Sequence, residues 1–322
     1  MSLKHLEKPQ VLIDAAFNRG RKNSSLYPQQ KTSFYTIKGK EMAFIDASAA
    51  YIEEVLEKTV KEFPSIEKLE PFYYDLYTCI IDIDDVKKAL SSIYSVTKLV
   101  MRVRRESLVK MKELKFSNGA DKVAKKITHQ YIGRVSSLID GLKGPIDRYN
   151  DNVRKLKELP SIDSKNDTYI LAGFPNVGKS TLLSKVTESK PEVAAYPFTT
   201  KGLNVGYFQR KYMPVQVIDT PGLLDRPLHA RNKIELKAIA ALQHLKGTVL
   251  FVVDPLDDLE IQRNLLEEMK KLFTTQGFIV VINKTDIANP KQIEDAKEKF
   301  ADHFTILEGK GLDALKTELT KK

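Results

Sequence analysis

The chain has 322 residues, 42% of them hydrophobic and 29% charged, a composition that supports folded domains and argues against wholesale disorder. That length suffices for two domains, each with its own core. The single cysteine, Cys79, excludes an intramolecular disulfide framework and a Cys-rich zinc site, and the formal charge of +10 points to polyanionic partners.

The first residues, MSLKHLEKPQ, lack the apolar run of a secretory signal, and no 18-residue apolar stretch occurs anywhere. A cytoplasmic location with no membrane role is therefore expected. Residues 20–37 carry little periodicity and read as loop. Ile45, Ala49, Ile52, Leu56 and Phe63 then fall on one helical stripe, which Pro64 should end. Phe72, Leu76 and Cys79 begin a second, with Cys79 expected as a buried core thiol. Ala89, Ile93, Val96, Val100, Val103, Met111 and Leu114 form a longer third. The fourth runs through Ile127, Tyr131, Val135, Leu138 and Leu142, then Tyr149, Val153 and Leu156, with a kink expected at Gly144-Pro145. Long helices with short connections imply an elongated antiparallel bundle over residues 1–162.

Charge is unevenly placed. Residues 1–160 hold 29 basic and 21 acidic side chains, against 23 and 21 in the remainder. Within 98–126 there are ten basic and three acidic residues. Lys98, Arg102, Arg105 and Lys112 lie opposite the apolar positions of the third stripe. They form either an ordinary solvated face or a groove for RNA.

After LPSIDSKND the pattern changes. TYILAG, VQVID, TVLFVVD and FIVVIN are short β-rich runs separated by helical stretches. Alternation of this kind implies a mostly parallel sheet covered by helices on both faces, here over residues 163–322. The fold class expected is thus α plus α/β, an elongated helical bundle followed by a mostly parallel sheet domain.

Gly173-x-x-x-x-Gly178-Lys179-Ser180 matches the Walker A pattern between a strand and a helix. Glycines let successive backbone N–H groups curl around phosphate oxygens, and the helix N-terminus adds positive potential. Gly173, Pro175, Asn176, Val177, Gly178, Lys179, Ser180 and Thr181 are the expected phosphate-binding residues. Lys179 should reach the β- and γ-phosphates and Ser180 should ligate Mg²⁺. In VIDTPG, Asp219 should hold Mg²⁺ through water, and the Gly222 amide should meet the γ-phosphate. Thr200 of YPFTTKG, or else Thr199, should bind Mg²⁺ and sense that phosphate.

Asn283, Lys284 and Asp286 of INKTD should select the base. Guanine presents two adjacent donors that one carboxylate can accept, whereas adenine has no proton at N1. GTP and GDP, with Mg²⁺, are the ligands expected. Thr305-Ile306 stands where many GTPases carry Ser-Ala and is taken as the last base contact. Leu223 stands where Ras-like GTPases place a water-orienting glutamine, so intrinsic turnover should be slow. His5, His129, His229, His244 and His303 have no metal-ligand spacing.

GFPNVGKSTLLSKVTESKPEVAAYPFTTKGLNVGYF followed by QVIDTPGLLDRPLHARNKIELKAIAAL resembles the NOG family of nucleolar GTP-binding proteins, relatives of the Obg GTPases. EFPSIEKLEPFYYDL and LPSID are similar to that family's N-terminal helical domain. The resemblance implies a Ras-like P-loop GTPase domain and a GTPase that assembles the large ribosomal subunit, with ribosomal RNA and precursor particles as partners, in a short, archaeal-type member. A monomer is expected. Asn176 resembles the P-loop asparagine that helps to hold K⁺ in potassium-activated relatives. Either that ion or an activating partner would then supply positive charge for hydrolysis. A GTP-dependent scaffold with negligible hydrolysis, or a GTPase in RNA modification, are the alternatives.

Overall fold

The structure is a computed structural model describing residues 3–159, 162–187, 192–194, 202–227, 231–300 and 305–308. It divides into two compact units. One comprises 1–65 and 81–157, the other 66–80 and 158–322.

The first unit is a helical bundle of α1 (Pro9–Ser25), α2 (Ser33–Glu62), α4 (Ile83–Glu113), α5 (Ala120–Asp140) and α6 (Lys143–Lys157). At a rise of about 1.5 Å per residue, α2 and α4 are each roughly 45 Å long. The apolar stripes face inward: Ile45, Ala49, Leu56, Ala89, Ile93, Val100, Met111, Tyr131 and Val135 are fully buried. Pro64 does follow the end of α2, whose C-cap is Phe63. Asp82 starts α4 by accepting from the amides of Asp84 and Asp85, and Lys38 Nζ caps its other end by donating to the carbonyls of Lys112 and Leu114 at 3.0 and 2.9 Å. Both devices satisfy terminal backbone groups that a helix leaves unpaired.

Two expectations change here. Of the segment 20–37, only 26–32 lies outside helix. The weak periodicity has a cause: Gly20 packs so closely on Phe44 that a Cβ would come within 2.8 Å of its ring, so a small residue holds a core position. At Gly144-Pro145 there is a break and not a kink. Helix α5 ends at Asp140, and Pro145 sits in the first turn of α6, where its missing N–H costs nothing.

The second unit is built on a seven-stranded sheet in the order β2-β3-β4-β1-β5-β6-β7. Its strands are β1 (Thr168–Ala172), β2 (Glu192–Ala194), β3 (Leu203–Arg210), β4 (Met213–Asp219), β5 (Gly247–Val253), β6 (Gly277–Ile282) and β7 (Thr305–Glu308). Only β3 runs against its neighbours; β4, β1, β5, β6 and β7 are mutually parallel. Alternate residues feed opposite faces, as a strand's two-residue period requires. Ile170 and Ala172 join one apolar layer with Phe251, Val280 and Leu266, while Tyr169 and Leu171 join another with Leu183, Val217 and Val252. The helices are α7 (Lys179–Val186), α8 (Lys233–Leu242), α9 (Leu259–Leu272) and α10 (Pro290–Phe300).

Helix α3 (Pro71–Ile80) belongs to this unit, although its sequence lies in the front half. Phe72 and Leu76 are fully buried in the layer of Ile162, Ile170 and Ile218, each contributing about 1.5–3 kcal/mol. His244 Nε2 meets Asp75 Oδ2 of α3 at 3.0 Å. A division at residue 162 therefore separates α3 from its own core. Cys79 shares the stripe of Phe72 and Leu76 at the C-terminal end of α3 but is half-buried and not in the core, with partial burial raising its thiol pKa. No described helix is long and apolar enough to cross a membrane.

Candidate functional site

Strand β1 delivers the chain to the phosphate loop at its C-terminal end, next to the ends of β4 and β5. Ligands gather at this edge of an open α/β sheet. The loop turns on three left-handed residues, Gly173 (φ 133°), Asn176 (φ 65°) and Gly178 (φ 99°). A Cβ on Gly173 would lie 2.4 Å from the Val252 carbonyl oxygen, so glycine is required there by contact as well as by φ.

A cleft of about 490 Å³ opens over this loop. Pro175, Asn176, Gly178, Lys179, Ser180 and Thr181 line one side; Asp219, Pro221, Gly222 and Asp225 line the other. Val177 is fully buried, so it can offer a ligand only its backbone.

Lys179 keeps only 7% of its surface exposed, and its ammonium donates to the carbonyls of Gly173 and Phe174, both at 2.7 Å. Burial lowers its pKa, opposed by the charges of Asp219 and Asp225. Its hydrogen-bond partners are neutral dipoles. A buried cation so placed favours an anion in the adjoining cleft.

Ser180 Oγ donates to Asp219 Oδ2 at 2.5 Å, and Asn204 Nδ2 reaches the same oxygen at 3.2 Å. The β3–β4 register, which sets Asn204 opposite Asp219, accounts for that second bond. Asp219 Oδ1 is buried with no hydrogen-bond partner among the described residues. An orphaned carboxylate oxygen beside a serine hydroxyl is an all-oxygen donor set, which suits a hard divalent cation such as Mg²⁺.

Beyond Asp219 the chain departs from expectation. The Gly222 amide donates to Asp225 Oδ2 at 2.9 Å. Arg231 donates to the Gly222 carbonyl at 2.8 Å, to the Arg226 carbonyl at 3.2 Å and to Asp225 Oδ1 at 3.4 Å. Asn232 and Glu235 cap the start of α8 reciprocally, at 2.8 and 2.9 Å. Leu223 is fully buried in the core and has no access to the cleft. Asp225, Arg231 and Asn204 were not expected at the site. The available signal was an acid three residues and an arginine nine residues after Gly222.

At the other end, Asn283 Nδ2 donates to the Val177 carbonyl at 2.8 Å, and Lys284 Nζ meets Asp254 Oδ2 at 2.5 Å. Asp286 is exposed in the turn after β6. Thr200 and Thr199 lie outside the described residues. Thr305 and Ile306 do not fit the base site. The register aligns them with Ile279 and Val280 in the middle of β6, and it is Glu308 that lies level with Ile282, beside Asn283. A strand advances about 3.3 Å per residue, which puts Thr305 some 10 Å short of that end.

A family described as the NOG1 N-terminal helical domain matches residues 2–163, and one described as 50S ribosome-binding GTPase matches residues 168–284. An uncharacterized protein of Methanocaldococcus jannaschii is 35% identical over 292 residues, 89% of this chain and 80% of its own length. Nucleolar GTP-binding protein 1 of Kluyveromyces lactis is 33% identical over 311 residues, covering 95% of this chain and 47% of its own. The chain thus spans about half the length of that relative. A crystal structure of nucleolar GTP-binding protein 1 from Plasmodium falciparum is 31% identical, with a TM-score of 0.42, over 51% of this chain and 90% of that one. A helical half and a phosphate-loop half that both match, in this order along one chain, place the protein in the nucleolar GTP-binding protein 1 family, as a GTPase.

Proposed function

We propose that the protein is a GTP-hydrolysing switch acting in assembly of the large ribosomal subunit. The observation that carries the nucleotide reading is the convergence of Lys179, Ser180 and Asp219 on one cleft, with a buried ammonium and an orphaned buried carboxylate oxygen facing it. The descriptions of the matched families, nucleolar and 50S-binding, support the ribosomal part, as does the net charge of +10.

In this reading the loop amides and Lys179 hold the phosphates of GTP or GDP. Ser180, Asp219 and Thr200 would hold Mg²⁺, which supplies positive charge to the β- and γ-phosphate oxygens. Asp286 selects guanine. Binding and loss of the γ-phosphate at Gly222 and Thr200 would switch affinity for the precursor particle.

With Leu223 packed in the core, no side chain at that position orients water. Intrinsic turnover on the order of 10⁻⁴ to 10⁻² s⁻¹ follows, in the range of unassisted GTPases. Charge for hydrolysis then comes from K⁺ at Asn176 or from an activating partner. The buried Leu223 equally favours a second reading, a GTP-binding scaffold with negligible hydrolysis.

Sedimentation of tagged protein with ribosomal particles, in GTP and in GDP, tests the proposal. Cofractionation with free large subunits in GTP only is the expected result. Absence from ribosomal fractions in both nucleotides would remove the ribosomal role and leave RNA modification as the alternative.

A further inference from the structure

The Gly222 amide has one proton to give, and Asp225 takes it. The Asp225 side chain is 15% exposed and lines the cleft, while the Arg231 side chain behind it has no exposed surface. Arg231 is fastened to two backbone carbonyls as well as to Asp225, so its position does not depend on the carboxylate alone. Its Nε is buried with no hydrogen-bond partner among the described residues. Gly222 is therefore held on both sides, its N–H by an anion and its C=O by a cation.

We propose that Asp225 sets the protein's preference between GTP and GDP, with Arg231 as the residue that positions it. This rests on the nucleotide reading of the cleft. The amide held by Asp225 is the donor that reading assigns to the terminal phosphate of GTP. Two anions cannot share a single N–H. A γ-phosphate must displace the carboxylate, losing a charge-assisted hydrogen bond, and must also approach a like charge at the wall of the cleft. GDP ends one phosphate earlier and makes no demand on Gly222. Asp225 thus weakens triphosphate binding selectively and leaves diphosphate binding alone. Arg231, fastened to Gly222 and Arg226, stays behind when the carboxylate moves.

The test is titration of the full chain, with Mg²⁺, by fluorescent GDP and by a fluorescent non-hydrolysable GTP analogue. In Asp225→Asn the amide oxygen can still accept from Gly222 but the charge is gone. The Kd for the GTP analogue should fall about tenfold, because the competitor for the Gly222 amide becomes a weaker, neutral acceptor and the like charge is gone, while the Kd for GDP stays within about twofold. If Asp225→Asn fails to fold because Arg231 is left buried without its anion, the double variant Asp225→Asn with Arg231→Gln removes both charges and should show the same change in ratio. An unchanged GTP-to-GDP ratio with intact GDP binding would overturn this proposal alone. No GDP binding by the wild-type chain would overturn the nucleotide reading beneath it.

Discussion

Asn283 donates to the carbonyl of Val177 across 106 residues of sequence, so the segment expected to read the base also braces the phosphate loop. A Cβ added to Gly178, already left-handed at φ 99°, would stand 2.2 Å from that same Asn283 nitrogen. Gly178→Ala should therefore break the brace and strain the loop together. We expect a loss of about 1–3 kcal/mol of stability and of most GDP affinity. Thermal melting with GDP titration checks both, and wild-type values in each would show that the brace contributes nothing.

Base selection should rest on Asp286, which is exposed at the turn following β6. Asp286→Asn should weaken GTP and improve xanthosine triphosphate, because an amide can donate to the xanthine 2-oxo group. Competition binding with the two triphosphates measures the exchange. A variant that keeps the wild-type order of preference would place guanine recognition elsewhere.

Lys98, Arg102, Arg105 and Lys112 are all exposed along α4. Lys98 lies 3.9 Å from Glu57 and 4.9 Å from the ring centre of Tyr94, while the other three make no ion pair among the described residues. Replacing the four with Glu should weaken RNA binding. Its dependence on log salt should flatten by roughly 0.7–0.9 for each phosphate left without its cation. GTP affinity should not change. An unaltered RNA isotherm would return these residues to a solvated face.

Asn176 lines the cleft in a left-handed conformation, which asparagine tolerates better than most residues. If its side chain helps to hold K⁺, hydrolysis should be about tenfold or more faster in KCl than in NaCl at equal ionic strength. Asn176→Gly keeps the backbone geometry without the amide and should abolish the difference. Equal wild-type rates in the two salts would leave an activating partner as the source of charge.

Tyr131 is fully buried in the bundle, its hydroxyl 2.9 Å from Ser48 Oγ, and burial pushes its pKa up to about 12. The unfolded phenol ionises near 10. A folded pKa above the unfolded one means stability that is complete below about pH 10 and lost as pH rises towards about 12. Urea unfolding across that window should show a falling stability, with a contribution approaching about 1.4 kcal/mol per pH unit from this residue. In Tyr131→Phe that part of the slope should vanish; an identical slope in the variant would assign it to other groups.

What sequence alone determined are features carried by local order. The 3.6-residue apolar period marked the helical half, and short continuous β-rich runs alternating with helical stretches marked the sheet, because strands buried on both faces need no polar alternation. The phosphate loop was legible for a similar reason. Gly173, Gly178, Lys179 and Ser180 must be close in sequence, since consecutive amides form the cradle. What the tertiary structure decided are relationships between distant segments. Helix α3 has an ordinary helical stripe, and nothing local says that Phe72 and Leu76 will be buried beside Ile170 and not within the bundle. Gly20 concealed the last turns of α1, because the close approach to Phe44 selects for smallness at that core position. Thr305 and Ile306 were misplaced because strand register depends on hydrogen bonding to β6, which no motif encodes. Asp225 and Arg231 look like two charges in a polar loop until the fold buries the arginine and hands the Gly222 amide to the carboxylate.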